Sequence, residues 1–161
     1  VAKAAGARSV FATDIYPYRL ELAQRMGADV VINARTEDVV RRVYDLTEGE
    51  GVDVLLEMSG APSAIEQGFT LLRPGGEAAL LGLAPGPITF DINNAIVFKG
   101  AKVYGIIGRE LWATWYRMRG LLRSGAVDLS PVVTHKFRLE EYDKALETMA
   151  SGQSGKVVLY P

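Results

Sequence analysis

Asp14 is the residue whose type and place in this chain most clearly suggest chemistry. It closes a short apolar run, Ser9 to Asp14 (SVFATD), and Pro17 follows where a first helical residue would stand. An acid at the exit of a parallel strand can accept hydrogen bonds from both hydroxyls of an adenosine ribose and repels a 2′-phosphate, which selects NAD over NADP. The competing use of such an acid is to cap the following helix; the strand before Asp14 favours the ribose role. The glycine-rich turn that cradles a pyrophosphate precedes such an acid by ~20 residues. With the acid at Asp14, the expectation is a chain that carries the ribose end of a cofactor site and lacks the first strand and its glycine-rich turn.

Other chemistry is sparse. His135 lies in VVTHKF with no acid or nucleophile beside it, and is read as a packing or surface residue. Cysteine is absent, which excludes disulfides, thiolate chemistry and cysteine-ligated metal. A single histidine also excludes a metal held by imidazole pairs. The formal net charge is −1 with arginines scattered among acids, so there is no electrostatic footprint for nucleic acid. No run approaches the ~20 apolar residues of a membrane span, and no charged-then-apolar leader is seen. A soluble, cytoplasmic protein with neither membrane nor nucleic-acid partners is expected. Its 161 residues fit one domain, or one domain and a piece of another, able to bury roughly 70% of the surface of the unfolded chain.

The elements that must position Asp14 follow from periodicity. Val1 to Ala7 reads as a helix tail stopped by Gly6. Tyr16 to Met26 repeats apolar residues at Leu20, Ala23 and Met26 and stops at Gly27. Asp29 to Asn33 is β-branched, and Thr36 then caps a helix whose Val39, Val40, Val43 and Leu46 share a face. Val52 to Met58 is apolar nearly throughout, as for a strand covered on both faces. Ile65, Phe69 and Leu72 mark a helix, and Arg73 to Gly76 turns into a strand over Glu77 to Leu83. Ile88 to Ile92 is a candidate small strand, and Ala101 to Ile107 resumes the sheet. Leu111, Trp115, Met118 and Leu122 line a helix ending at Gly125; Trp112, Trp115 and Tyr116 suit a subunit contact better than a stacking platform. Val132 to Phe137, a helix around Tyr142, Leu146 and Met149, and Lys156 to Tyr160 read as a return segment rather than another regular unit. Repeated strand–helix alternation predicts an α/β fold with a doubly wound parallel sheet. A missing central strand would leave unpaired backbone groups costing ~1 to 3 kcal/mol each, so a fragment, or dependence on a partner segment, is expected.

The runs GADVVIN (Gly27 to Asn33), GVDVLLEMSGAP (Gly51 to Pro62) and LLRPGGEAALLGL (Leu71 to Leu83) resemble the cofactor domain of zinc-type medium-chain dehydrogenases. DIYPYRLELAQRMGAD (Asp14 to Asp29) and FKGAKVYGIIGRELWATWYRM (Phe98 to Met118) are more narrowly similar to the branch acting on L-threonine. The resemblance implies a Rossmann-type NAD-binding domain over residues 1–125, truncated at its start, and a return toward an absent catalytic domain over 126–161. It implies oxidation of L-threonine to L-2-amino-3-oxobutanoate with NAD, in a family enzyme whose zinc has no ligands in this chain. This chain alone is expected to be inactive and to hold NAD weakly or not at all. By the same resemblance Arg19 lies near the ribose, while Leu81, Gly82 and Leu83, with Ile106 and Ile107, contact NAD on the nicotinamide side; Ser59 and Gly60 are lesser candidates. The edge near Val103 to Ile107 is expected to pair copies into a homo-oligomer. Three alternatives stay open: another alcohol or polyol dehydrogenase, an S-adenosylmethionine-dependent methyltransferase, and an inert interaction module.

Overall fold

The computed structural model describes residues 1–161 and divides into two compact units, Val1–Glu37 with Glu110–Pro161, and Asp38–Arg109. All strand pairing is parallel, within three sheets of two, three and two strands. The predicted α/β class with parallel sheets is therefore found, divided into three separate ladders.

In the first unit, strand β1 (Phe11–Asp14) pairs with β2 (Val30–Asn33) across helix α1 (Pro17–Arg25). Pro17 opens α1, and Gly27 closes it: at φ +96° its amide reaches Gln24 O at 3.0 Å and the Ala28 amide reaches Ala23 O at 3.0 Å. Those two bonds satisfy carbonyls that the helix end would otherwise leave unpaired. The predicted helix tail before Gly6 is a single turn, closed by the Ala5 amide on Val1 O at 2.9 Å. The Asp29 carboxylate ties this segment to β2, accepting from Val10 N at 2.7 Å and from Lys3 Nζ at 3.0 Å. Those contacts, the backbone amide first and the ammonium next, hold its pKa below the usual carboxylate value.

The same unit contains helix α4 (Ala113–Arg123), strand β6 (Val133–Arg138), helix α5 (Tyr142–Ala150) and strand β7 (Lys156–Tyr160). β6 and β7 pair in parallel across α5, so the tail contains a regular β–α–β unit where an irregular return was expected. Ala145 is the buried residue of α5, while the predicted apolar positions Tyr142, Leu146 and Met149 are exposed. Trp115, Met118 and Leu122 on α4, and Leu111 just before it, are likewise exposed.

In the second unit, helix α2 (Val39–Leu46) precedes strand β3 (Val52–Glu57), helix α3 (Pro62–Leu71), strand β4 (Leu72–Leu80) and strand β5 (Lys102–Gly105). The sheet order is β3-β4-β5, with β4 central. Asp38, not Thr36, caps α2: its Oδ1 accepts from Arg41 N at 3.0 Å, whereas the Thr36 amide closes a turn on Asn33 O. Val39 and Val43 are buried and Leu46 is exposed, so the predicted α2 face is narrower than its apolar spacing. The RPGG turn is a bulge inside β4. Val52 pairs with Leu72 and Val54 with Glu77, and the four residues between loop out.

The core of this unit is Ile65, Phe69, Leu72 and Ala78, with Val52, Leu55, Leu80 and Ile96 packed around it. Phe69 and Leu72, each 1% exposed, contribute about 2–3 kcal/mol apiece by burial. Phe90 stacks on Phe69 at 5.3 Å between centroids. That contact explains why Ile88 to Ile92 is not a strand: the segment is irregular, spends its aromatic on the core and runs into a π-helical turn over Asn93–Val97. The C-terminal end of α3 has no glycine cap. Lys99 Nζ instead donates to Phe69 O, Thr70 O and Leu72 O at 2.7, 2.8 and 2.6 Å, and partial burial lowers its pKa. β3 is not covered on both faces: Leu55 and Glu57 point inward, while Val54 and Leu56 are each 53% exposed.

Candidate functional site

Asp14 ends β1 opposite Asn33, the last residue of β2. Its Oδ1 accepts from the next two backbone amides, Ile15 N at 2.7 Å and Tyr16 N at 2.9 Å. Asp14 thus braces the turn before α1 rather than capping the helix, and this occupies one oxygen only. Oδ2 lies 3.9 Å from an Arg19 guanidinium nitrogen, and the two side chains are 29% and 41% exposed. The Arg19 guanidinium also lies 4.9 Å from the centroid of the Tyr16 ring, a cation–π distance that holds it over the turn. The structure therefore brings Asp14 and Arg19 together as a part-exposed carboxylate, with one oxygen outside the backbone bonds, beside a cation. That pair fits a diol recognised by an acceptor and a donor at once.

The remaining sequence-derived residues lie in the other unit, at one rim. Glu57 pairs with Leu80 and Leu80 with Gly105, so β3, β4 and β5 end at one level. Leu81, Gly82 and Leu83 leave β4 just past that level; they are not the strand's last residues, because the ladder stops at Leu80. Ile106 and Ile107 leave β5 beside them, with Ile106 N donating to Leu80 O at 2.9 Å. Leu83 is 90% exposed and Ile107 96%. Apolar side chains standing free at the carboxyl edge of a parallel sheet suit the flat ring of a nicotinamide. Gly82 has a different reason to be glycine than close ligand approach. A Cβ there would collide with Gly60 N and Glu57 Oε2, and Ser59 C is 2.7 Å away.

Sequence reasoning missed Glu57. Only 4% exposed, it ends β3 and accepts from Ser59 Oγ at 2.5 Å, Ser59 N at 2.9 Å and Gly60 N at 3.0 Å. The signal was present: a charged residue interrupts an apolar strand two positions before Ser-Gly. His135 is part-buried, stacked on Phe137 at 6.2 Å with its Nδ1 3.0 Å from Thr134 Oγ1, a packing environment. No three acidic or histidine side chains gather where a metal could sit, so these residues do not fit a zinc site. No helix is long and apolar enough to cross a membrane.

Parallel strands joined by helices are the α/β architecture of nucleotide-cofactor domains. The chain belongs to the zinc-binding dehydrogenase family, whose pattern matches residues 1–124. An L-threonine 3-dehydrogenase of Pyrococcus horikoshii is 52% identical over 159 residues, which is 98% of this chain and 46% of the relative. That of Bacillus subtilis is 48% identical over 161 residues, 100% of this chain and 46% of the relative. The crystal structure of an alcohol dehydrogenase from Thermotoga maritima superposes with a TM-score of 0.86 at 34% identity, covering 99% of this chain and 45% of that one. A 2R,3R-butanediol dehydrogenase from Bacillus subtilis gives 0.87 at 26% identity, covering 99% and 46%. The chain thus spans about half the length of the relatives it matches. Family membership decides against the methyltransferase alternative.

Proposed function

We propose that this chain is the NAD-holding portion of an oxidoreductase that converts L-threonine to L-2-amino-3-oxobutanoate. The observation that carries the reading is the 52% identity, across 98% of the chain, with an enzyme named L-threonine 3-dehydrogenase. Identity falls to 34% and 26% for the alcohol and butanediol dehydrogenase structures of the same fold. When bound, the nicotinamide supplies the hydride acceptor. The Asp14 Oδ2 accepts from ribose hydroxyls, Arg19 steadies that carboxylate, and Leu81, Gly82, Leu83, Ile106 and Ile107 give the nicotinamide an apolar seat. In this reading residues 1–125 form the cofactor portion, 126–161 lead back toward a catalytic portion, and zinc is held by residues other than these. A cytoplasmic location belongs to the same proposal.

The test is NADH formation by the full-length protein with L-threonine, sorbitol and 2,3-butanediol. A kcat/KM for L-threonine at least about 100-fold above the others is expected, the size of preference that hydrogen-bonded recognition of a polar substrate supports. Equal or faster oxidation of a polyol would overturn the substrate and leave the cofactor portion standing. We also propose that two copies pair along β5, which is exposed along its length and bonded on one edge to β4. Unpaired strand edges are templates for such pairing. A monomeric mass in light scattering would refute it.

A further inference from the structure

We propose that Glu57 is a positioning residue for the nicotinamide end of the cofactor, fixing the Ser59–Gly60 turn on which the Leu81–Leu83 exit is built. The inference rests on the cofactor reading above. A carboxylate this buried is costly unless its oxygens are hydrogen-bonded. Here they are: Oε1 takes Ser59 N, Ser59 Oγ and Gly60 N, Oε2 takes Gly60 N at 3.0 Å, and Ser59 Oγ in turn accepts from Ala61 N at 3.1 Å. The acid thereby dictates the path from β3 into α3.

The neighbouring exit is then assembled on that turn. Leu81 N and Gly82 N both donate to the main-chain oxygen of Glu57, at 2.9 and 3.2 Å. The two exits pack backbone to backbone with no room for a Cβ: one at Gly60 would strike Leu83 O and C, and one at Gly82 would strike Gly60 N and Glu57 Oε2. Between the two exits there is no slack, so a shift of the Ser59–Gly60 amides is passed to Leu81 and Leu83. An apolar seat on a loop is only as accurate as the shell supporting it, and Glu57, with the Ser59 hydroxyl it holds, is the side-chain part of that shell.

Glu57→Gln tests this in the full-length protein. The amide keeps one acceptor but turns an NH2 toward amide donors, so the turn must move. NADH, read by its fluorescence on titration, is expected to bind about tenfold more weakly, the equivalent of one unsatisfied buried group. ADP-ribose, which lacks the nicotinamide, is expected to bind within about twofold of wild type, since fold-wide damage would weaken both ligands alike. Equal weakening of both, or no weakening of NADH, overturns the positioning role. If that variant does not fold, Ser59→Ala removes one donor and keeps the backbone, and about a two- to threefold loss for NADH alone is expected; no selective loss overturns the role. Wild type that binds neither ligand overturns the cofactor reading and this role with it. Wild type that binds both, with variants equally able to bind NADH, overturns only the role of Glu57.

Discussion

Asp14 and Glu57 occupy the same place in two different β–α turns and use their carboxylates oppositely. Each is the last residue of a parallel strand, and each takes backbone amides of the turn that follows on one oxygen. Asp14 keeps its second oxygen outside the backbone bonds, beside Arg19, whereas Glu57 commits both oxygens inside the fold. An acid at a strand exit is thus not by itself the mark of a ligand. What separates Asp14, the proposed ribose acceptor, from an internal brace is that an oxygen remains after the backbone has been served.

That contrast can be broken most severely at the glycines around Glu57. Gly82→Ala is expected to cost about 3 kcal/mol in chemical denaturation of the full-length protein, because backbone rather than a flexible side chain occupies the Cβ position. A cost below about 1 kcal/mol would mean that the two exits are separable after all. Asp14→Asn probes the other carboxylate. The amide oxygen still accepts from Ile15 N and Tyr16 N, so stability is expected to change by less than about 0.5 kcal/mol. Discrimination against NADPH should meanwhile fall about tenfold as the charge that repels a 2′-phosphate disappears. A large stability loss with unchanged cofactor preference would recast Asp14 as a second brace.

The smallest effect calibrates a carboxylate with no ligand role. Asp29 titrates below its usual 3.8 in the folded chain, through the Val10 amide first and Lys3 second. The folded state therefore binds fewer protons than the unfolded state in that range. Its stabilisation is present above the unfolded value and is lost as pH falls through the folded one. Melting temperature followed downward from about pH 6 should decline less steeply below about pH 4 in Asp29→Asn than in wild type. Parallel curves would show that Asp29 contributes nothing to acid sensitivity.

The parts legible in the sequence were those fixed locally. Pro17 and Gly27 bracket α1, the spacing of Ile65 and Phe69 marks α3, and a β-branched run marks β2, because each signal acts within a turn or two of itself. Asp14 stood out because it ends a strand just before a helix-opening proline, whereas Arg19 was named by family resemblance rather than by any local signal. What stayed hidden depends on partners far along the chain. Glu57 gives itself away only as an interruption, since its amide partners follow it but the packing of Gly60 against Leu83 needs β4 in place. The apolar side chains of β3 do not say which face another layer will cover, and Val54 and Leu56 remain exposed. Phe90 sits in a segment with strand-like residues, yet its ring is claimed by Phe69 and the backbone follows the ring.

The lysine that closes α3 has a consequence for how the chain comes together. The carbonyls of Phe69, Thr70 and Leu72 wait for an ammonium group 27 to 30 residues downstream, while Tyr44 reaches Thr70 O from 26 residues upstream. A nascent chain that has emerged only as far as β4 holds this helix with its end open. Completion is deferred until synthesis passes Lys99, so the segment from Tyr44 to Lys99 should become protected from hydrogen exchange as one cooperative block rather than helix by helix.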